Sequence, residues 1–161
     1  MLGIDPGSAV TGYGVVRQVG AAPLALVECG VIRTPADAPL AERLHEIYEG
    51  VREVLARHQP DTVAVEDVFF GRNPRTTAVL GHARGVILLA VAQQGCPLVE
   101  LAPARIKKAV TGAGAATKEQ VQYMVAQLLR LKRPPEPADA SDGVAAALAV
   151  ALTGPLHRIP A

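Results

Sequence analysis

Tryptophan is absent from this 161-residue chain, phenylalanine occurs twice, tyrosine three times, and cysteine and methionine only twice each. Two cysteines, Cys29 and Cys96, lie far apart in apolar surroundings with no Cys or His at metal-ligand spacing. That excludes a disulfide scaffold and a thiolate zinc site, and leaves two buried free thiols in a reducing compartment. With aromatics at 3% and hydrophobic residues at 50%, the core must be built from aliphatic side chains, chiefly Ala and Val. This is the profile of a globular chain and not of a disordered one. Long apolar runs are also missing. The longest uncharged ones, residues 86–92 and 143–152, fall well short of the ~18 residues that a membrane span needs. No basic segment precedes an apolar stretch at the N-terminus, so the expectation is no signal peptide, no membrane and a cytoplasmic location. The length suits one domain, expected over residues 1–153 with a C-terminal tail at 154–161.

Net charge is small too, at +1, but it is unevenly spread. Residues 1–68 hold five Lys/Arg against ten Asp/Glu, residues 69–135 ten against two, and residues 136–161 one against three. A basic middle bracketed by acidic segments fits a polyanion-binding surface beside a carboxylate cluster.

Residues 1–5 read as a short strand, closed by the turn formers Pro6, Gly7 and Ser8. Residues 12–19 and 24–33 read as two more strands, giving an antiparallel three-strand meander. Apolar positions at helical spacing predict a helix over 40–57, ended by Pro60. A buried strand follows over 61–66, then a long helix over 76–94 with small residues at Ala78, Gly81, Gly85 and Ala90. A strand at 97–101, a basic helix at 103–110 and a Gly/Ala loop at 111–116 come next. Thr117 and Gln120 form a capping-box signature for a helix over 117–131. A proline-rich connection leads into an alanine-rich helical run after Ala138. The order predicts an α/β or α+β sheet covered by helices.

Four carboxylates carry the chemical argument. Asp5 and Glu66 each end an apolar strand, where a charge is costly unless it is paired or binds a metal. Alternation puts Asp5 with Gly3 on one face and Leu2 with Ile4 on the other; Ala64 and Glu66 likewise share a face. Asp139 and Asp142 lie three apart at the start of the last helix, on one side of it. Capping is the simpler reading of that pair alone, since helix N-termini favour negative charge. If the two strands are neighbours and the last helix covers them, all four carboxylates meet. An oxygen-only donor set selects a hard divalent ion, Mg²⁺ or Mn²⁺. Two such ions suit in-line displacement at a phosphodiester.

The residues at 3–16 (GIDPGSAVTGYGVV), 33–44, 64–73 (AVEDVFFGRN), 83–85 (ARG), 107–125 (KKAVTGAGAATKEQVQYMV) and 138–149 (ADASDGVAAALA) resemble, in order and spacing, the RuvC-type Holliday junction resolvases. These are crossover junction endodeoxyribonucleases with a ribonuclease H-like fold: a five-stranded mixed sheet, its first three strands antiparallel, flanked by helices. The resemblance implies a catalytic and metal-binding quartet of Asp5, Glu66, Asp139 and Asp142. It also implies catalytic, DNA-contacting lysines at Lys107 and Lys118, and Mg²⁺ as cofactor with Mn²⁺ as substitute, two ions per site. The expected partners are a four-way DNA junction, a second copy of the chain packed through the long helix, and the RuvA–RuvB branch migration complex. Symmetric paired nicks in recombination and repair would be the activity. One departure stands out: Gly143 occupies a position where Ala is usual, which is expected to weaken the helix start, since Gly costs up to ~1 kcal/mol there.

Phe69 and Phe70, the only phenylalanines, stand in a basic loop with Arg72, Asn73 and Arg75. Phe69 is expected to stack on an unpaired base, and Phe70 is either a second contact or core. Arg72, Asn73, Arg75, Arg105 and Lys108 are expected phosphate contacts. Gly112 and Gly114 offer backbone N–H groups to a phosphate, although the spacing is not that of a nucleotide P-loop. None of the four histidines has a catalytic assignment. Two other readings compete: a junction-binding protein without catalysis, and an actin-like phosphotransferase, for which the chain is too short.

Overall fold

The computed structural model describes residues 1–67 and 73–154. Its strands and helices run β1 (Leu2–Asp5), β2 (Val10–Arg17), β3 (Ala25–Arg33), α1 (Leu40–His58), β4 (Val63–Glu66), α2 (Pro74–Gln94), β5 (Leu98–Leu101), α3 (Pro103–Thr111), α4 (Lys118–Leu128) and α5 (Ala138–Thr153). One five-stranded sheet has the order β3-β2-β1-β4-β5. The β1–β2 and β2–β3 pairs are antiparallel; β1–β4 and β4–β5 are parallel. The expected meander and mixed sheet are therefore present, with β1 and β4 side by side at the centre.

Period-two alternation divides the core. Leu2, Ile4, Val15, Val63 and Val65 bury one face of the sheet against α1 and α2. Ala64, Leu101 and Val16 face the other way, toward α3, α4 and α5. Burying these apolar surfaces is the main term holding the layers together, at roughly 25 cal/mol per Å². Helix α5 lies directly on the sheet. A Cβ on Gly14 would come within 2.5 Å of the Val144 Cα, and one on Gly143 within 2.5 Å of the Tyr13 Cα. The alanine-rich sequence of α5 follows from this backbone-to-backbone approach. Gly143 is thus a packing requirement and not the weak helix start expected from propensity. Gly143→Ala should destabilise the fold by about 1–3 kcal/mol despite its ~1 kcal/mol helix-propensity gain; denaturant unfolding measures it, and a stabilised variant would contradict the packing.

Several local expectations change. The 117–131 helix ends at Leu128, with Arg130 in the left-handed region at φ 55°. Its capping box is present, Thr117 N–H donating to Gln120 Oε1 at 2.8 Å and Gln120 N–H to Thr117 Oγ1 at 3.3 Å. Both cysteines are free but only half-buried. His58, at the end of α1, is within 2.8 Å of Glu28, which also accepts from Tyr13 and Arg57. This cluster ties the β2–β3 hairpin to α1.

Helix α2 is the largest surprise. It has 21 residues, long and apolar enough by length and composition to cross a membrane, and only 22% of its most apolar window is buried. Ala83, Ile87, Ala90 and Val91 face the core. Gly81, Gly85 and Leu89 are exposed on the other side, and a Cβ at either glycine would meet nothing within 4 Å. The long helix is apolar on both sides.

Candidate active site

Asp5 is carried to the end of β1 and anchored by the turn behind it. Thr11, fully buried, donates from Oγ1 to the Gly7 carbonyl at 2.8 Å. Thr34 Oγ1 donates to the Ser8 carbonyl at 2.9 Å, and Arg43 reaches the same carbonyl. Across β1, Asp5 pairs in register with Gly12 of β2. A Cβ on Gly12 would sit 1.8 Å from the Asp139 carbonyl oxygen. The absent side chain lets the first turn of α5 settle over the end of β1 and bring its carboxylates to Asp5.

Asp5, Asp139 and Asp142 each offer a carboxylate oxygen within 4.8 Å of the others. Glu66 is not one of this trio, but it lines the same cleft of about 190 Å³ with Asp5, Asp142, Lys107 and Lys118. Apolar walls come from Ile106, Val121 and Ala145. Capping does not account for the pair on α5: the N-cap is Pro137, with no side-chain cap hydrogen bond.

Crowding like charges in a half-dry cleft raises their proton affinity. Burial first, then Asp142 and Asp139, push Asp5 up to about 7. Burial, then Asp5 and Asp142, push Glu66 up to about 7 as well. Burial also raises Asp142, opposed by a hydrogen bond from Lys118. The Lys118 Nζ lies 2.7 Å from Asp142 Oδ2, and that bond holds the ammonium above its usual range. A cation in the first turn of a helix runs against the macrodipole; here Asp142 is the offsetting anion. Nucleophilic Ser or Cys chemistry has no basis in this cleft, which presents carboxylates and ammonium groups. The donors fit a hard divalent cation: all oxygen, mutually repelling, and held by the fold before any ion arrives.

Other expected contacts scatter. Asn73 Oδ1 caps α2, accepting from the N–H of Arg75 at 3.0 Å and of Thr76 at 3.3 Å, so it has a structural task. Gly112 N–H is spent on the Lys108 carbonyl at 2.9 Å, closing α3, and is not open to a phosphate. Arg75, Arg105 and Lys108 are exposed, outside the cleft lining. Phe69, Phe70 and Arg72 lie outside the described residues, as does His157. Sequence reasoning missed the Lys118–Asp142 pair and the glycine track under α5; the alternating Gly3, Gly12 and Gly14 were the available signal. It also gave Arg84 no role.

A mixed five-stranded sheet with acidic residues ending its two central parallel strands, completed by two more on a helix across them, defines a ribonuclease H-like nuclease. Residues 1–153 match the family model described as crossover junction endodeoxyribonuclease RuvC. The protein of that description from Halorhodospira halophila is 53% identical over 148 residues, covering 92% of this chain and 87% of the relative. The one from Pelotomaculum thermopropionicum is 49% identical over 148 residues, covering 92% and 90%. Among solved structures, Thermus thermophilus RuvC in complex with Holliday junction substrate superposes with a TM-score of 0.88 at 39% identity, covering 94% of this chain and 92% of that one. The yeast mitochondrial Holliday junction resolvase Ydc2, at 13% identity and a TM-score of 0.65, shares the fold. This chain belongs to the RuvC family of crossover junction endodeoxyribonucleases, which are metal-dependent nucleases.

Proposed function

We propose that this protein resolves four-way DNA junctions by symmetric paired nicks, with Asp5, Glu66, Asp139 and Asp142 as its metal-binding catalytic quartet. The observation that carries the reading is the carboxylate trio of Asp5, Asp139 and Asp142 within 4.8 Å. Mg²⁺, with Mn²⁺ as substitute and two ions per site, would supply an activated water and neutralise charge on the leaving oxygen. The chain's own residues do the rest. Asp5 and Glu66, poised near neutral pH, hold the ligand oxygens at the mouth of the sheet. The apolar cleft walls limit competing water. Lys107 and Lys118 neutralise the scissile phosphate as negative charge grows on it.

Two further parts of the reading concern assembly. The open apolar face of α2, around Gly81, Gly85 and Leu89, is where a second copy packs, so that two sites address two strands of a symmetric junction. The basic block of residues 69–135 supplies phosphate contacts through Arg72, Arg75, Arg105 and Lys108, while Phe69 stacks on a base unpaired at the crossover. Asn73 and Phe70 are secondary contacts. RuvA–RuvB is the partner machinery, and the work is done in the cytoplasm.

The test is a synthetic four-way junction labelled on each strand in turn, with Mg²⁺ or Mn²⁺. Paired nicks on two strands of like polarity are expected; binding without cutting under every divalent ion tried would point to the non-catalytic reading. Phe69→Ala should slow cleavage of bound junction about tenfold or more, while junction affinity falls less, because phosphate contacts dominate binding. Equal loss of affinity for every DNA form would indicate a folding defect instead.

A further inference from the structure

Glu66 sits at the least supported end of its strand. Its neighbour β1 pairs with β4 only through Val63, Ala64 and Val65. Beyond that point the register continues on one side alone, Glu66 against Leu101 of β5, with Asp67 N–H donating to the Leu101 carbonyl at 2.8 Å. Strand β5 has four residues and lies at the sheet edge. A carboxylate that must be placed within a few tenths of an ångström therefore hangs from a short ladder at an edge.

Arg84 of α2 meets this weak point from the opposite side of the sheet. Its Nη2 is 3.3 Å from Asp67 Oδ1 and also bonds Glu100 Oε2. Asp67 follows Glu66 directly, and Glu100 precedes Leu101, its register partner. By alternation both acids point toward α2 while Glu66 points toward α5. One guanidinium nitrogen, Nη2, thus bridges the β4 and β5 segments at the very residues that adjoin Glu66 and its partner. The planar guanidinium holds that nitrogen in a fixed orientation, whereas an ammonium on a flexible stem would hold the two carboxylates less firmly. The helix it stands on is fixed by the buried Ala83 and Ile87 on either side of it in sequence.

The clamp is poorly explained as a stability device. Arg84 is 20% exposed, Asp67 54% and Glu100 47%, and partly exposed ion pairs add little to folding. The Arg84 Nε is buried with no hydrogen-bond partner among the described residues, a cost that offsets part of any gain. We infer that Arg84 is a positioning residue, which fixes the Glu66 carboxylate by clamping Asp67 and Glu100 from the reverse face of the sheet. This rests on the reading of Glu66 as a metal ligand given above. Since α2 is also the helix with the open apolar face, the clamp joins that face to the catalytic strand through one side chain.

The experiment compares wild type, Arg84→Met, Arg84→Lys, Glu100→Gln and Glu66→Gln by three readouts: junction affinity in Ca²⁺, single-turnover cleavage of bound junction in Mg²⁺, and the Mg²⁺ concentration giving half-maximal rate. For Arg84→Met we expect affinity within about twofold of wild type, cleavage slowed at least tenfold, and the Mg²⁺ midpoint raised severalfold. Arg84→Lys should recover part of the rate. Glu100→Gln, which removes one arm of the clamp at a half-exposed position, should fall between wild type and Arg84→Met even if the arginine variants fold poorly. Wild-type rate and Mg²⁺ midpoint in both Arg84→Met and Glu100→Gln would overturn the inference, as would losses that follow the melting temperature and affinity in step. Glu66→Gln separates the two levels: if it still cuts normally, the metal-ligand reading has failed, and if it is inactive while the Arg84 variants cut normally, only the positioning role has.

Discussion

Asp5→Asn is expected to abolish strand cleavage, by at least about a thousandfold, while the variant binds a four-way junction as well as wild type or better. The same substitution should make the metal-free protein more stable at pH 8. The sign follows from the site. Asp5 and Glu66 are both pushed up to about 7 from ordinary carboxylate values, chiefly by burial and by each other's neighbours. The folded state then binds more protons than the unfolded chain between roughly pH 4 and pH 7, so stability falls as pH rises through that window and levels off above it. Neutralising Asp5 should recover on the order of 2 kcal/mol at pH 8 and flatten the pH dependence. Added Mg²⁺ should stabilise wild type most above pH 7, where the ligands are ionised, and do little for Asp5→Asn. Thermal melts across pH 4–8, with and without Mg²⁺, measure both effects. An Asp5→Asn variant that cuts at a wild-type rate, or one destabilised at pH 8, would contradict the assignment.

Gly12→Ala should be nearly as damaging, although Gly12 carries no chemistry. Its new Cβ would sit 1.8 Å from the Asp139 carbonyl oxygen and 2.4 Å from its carbon. Backbone on both sides cannot yield as a side-chain tip can, so the first turn of α5 must lift. Overpacking of this kind costs roughly 1–3 kcal/mol. A displacement near 1 Å of Asp139 and Asp142 relative to Asp5 costs about a hundredfold in rate. Cleavage should therefore fall further than the stability loss alone explains, and the Mg²⁺ requirement should rise. Unfolding curves together with single-turnover rates separate the two contributions; a stable variant with full activity would mean that α5 does not rest on β2 as described.

Much of this was legible in the sequence because it is written in short-range patterns. Alternation set Asp5 opposite Leu2 and Ile4 in β1 and put Glu66 on the face of Ala64 in β4, and the capping box marked the start of α4 to within one residue. The spacing of Asp139 and Asp142 put both on one side of α5. What local pattern could not deliver was contact between distant segments. The glycines at 3, 12 and 14 show their task only when α5 is laid across them. Gly143 read as a propensity defect because propensity scores a helix alone, whereas the strand beneath it leaves no room for a methyl group. The pairing of Lys118 with Asp142, 24 positions away in the chain, leaves no local signal either. Arg84 had no legible role, since its partners belong to segments that only the sheet brings together. Which side of α2 is buried was hidden for the same reason: a helix apolar all round has no stripe to read.

The measurement that bears most directly on the central claim is calorimetric titration of the protein with Mn²⁺ near pH 7, in buffers of different ionisation enthalpy. Carboxylates that titrate near 7 and bind metal only when ionised must release protons as the ion enters. Saturable binding with proton release near one per site is predicted for wild type, falling away by pH 8.5 and lost in Asp5→Asn and Asp142→Asn. Wild-type binding that releases no protons at pH 7, or that survives unchanged in both variants, would show that the four carboxylates are not the metal centre.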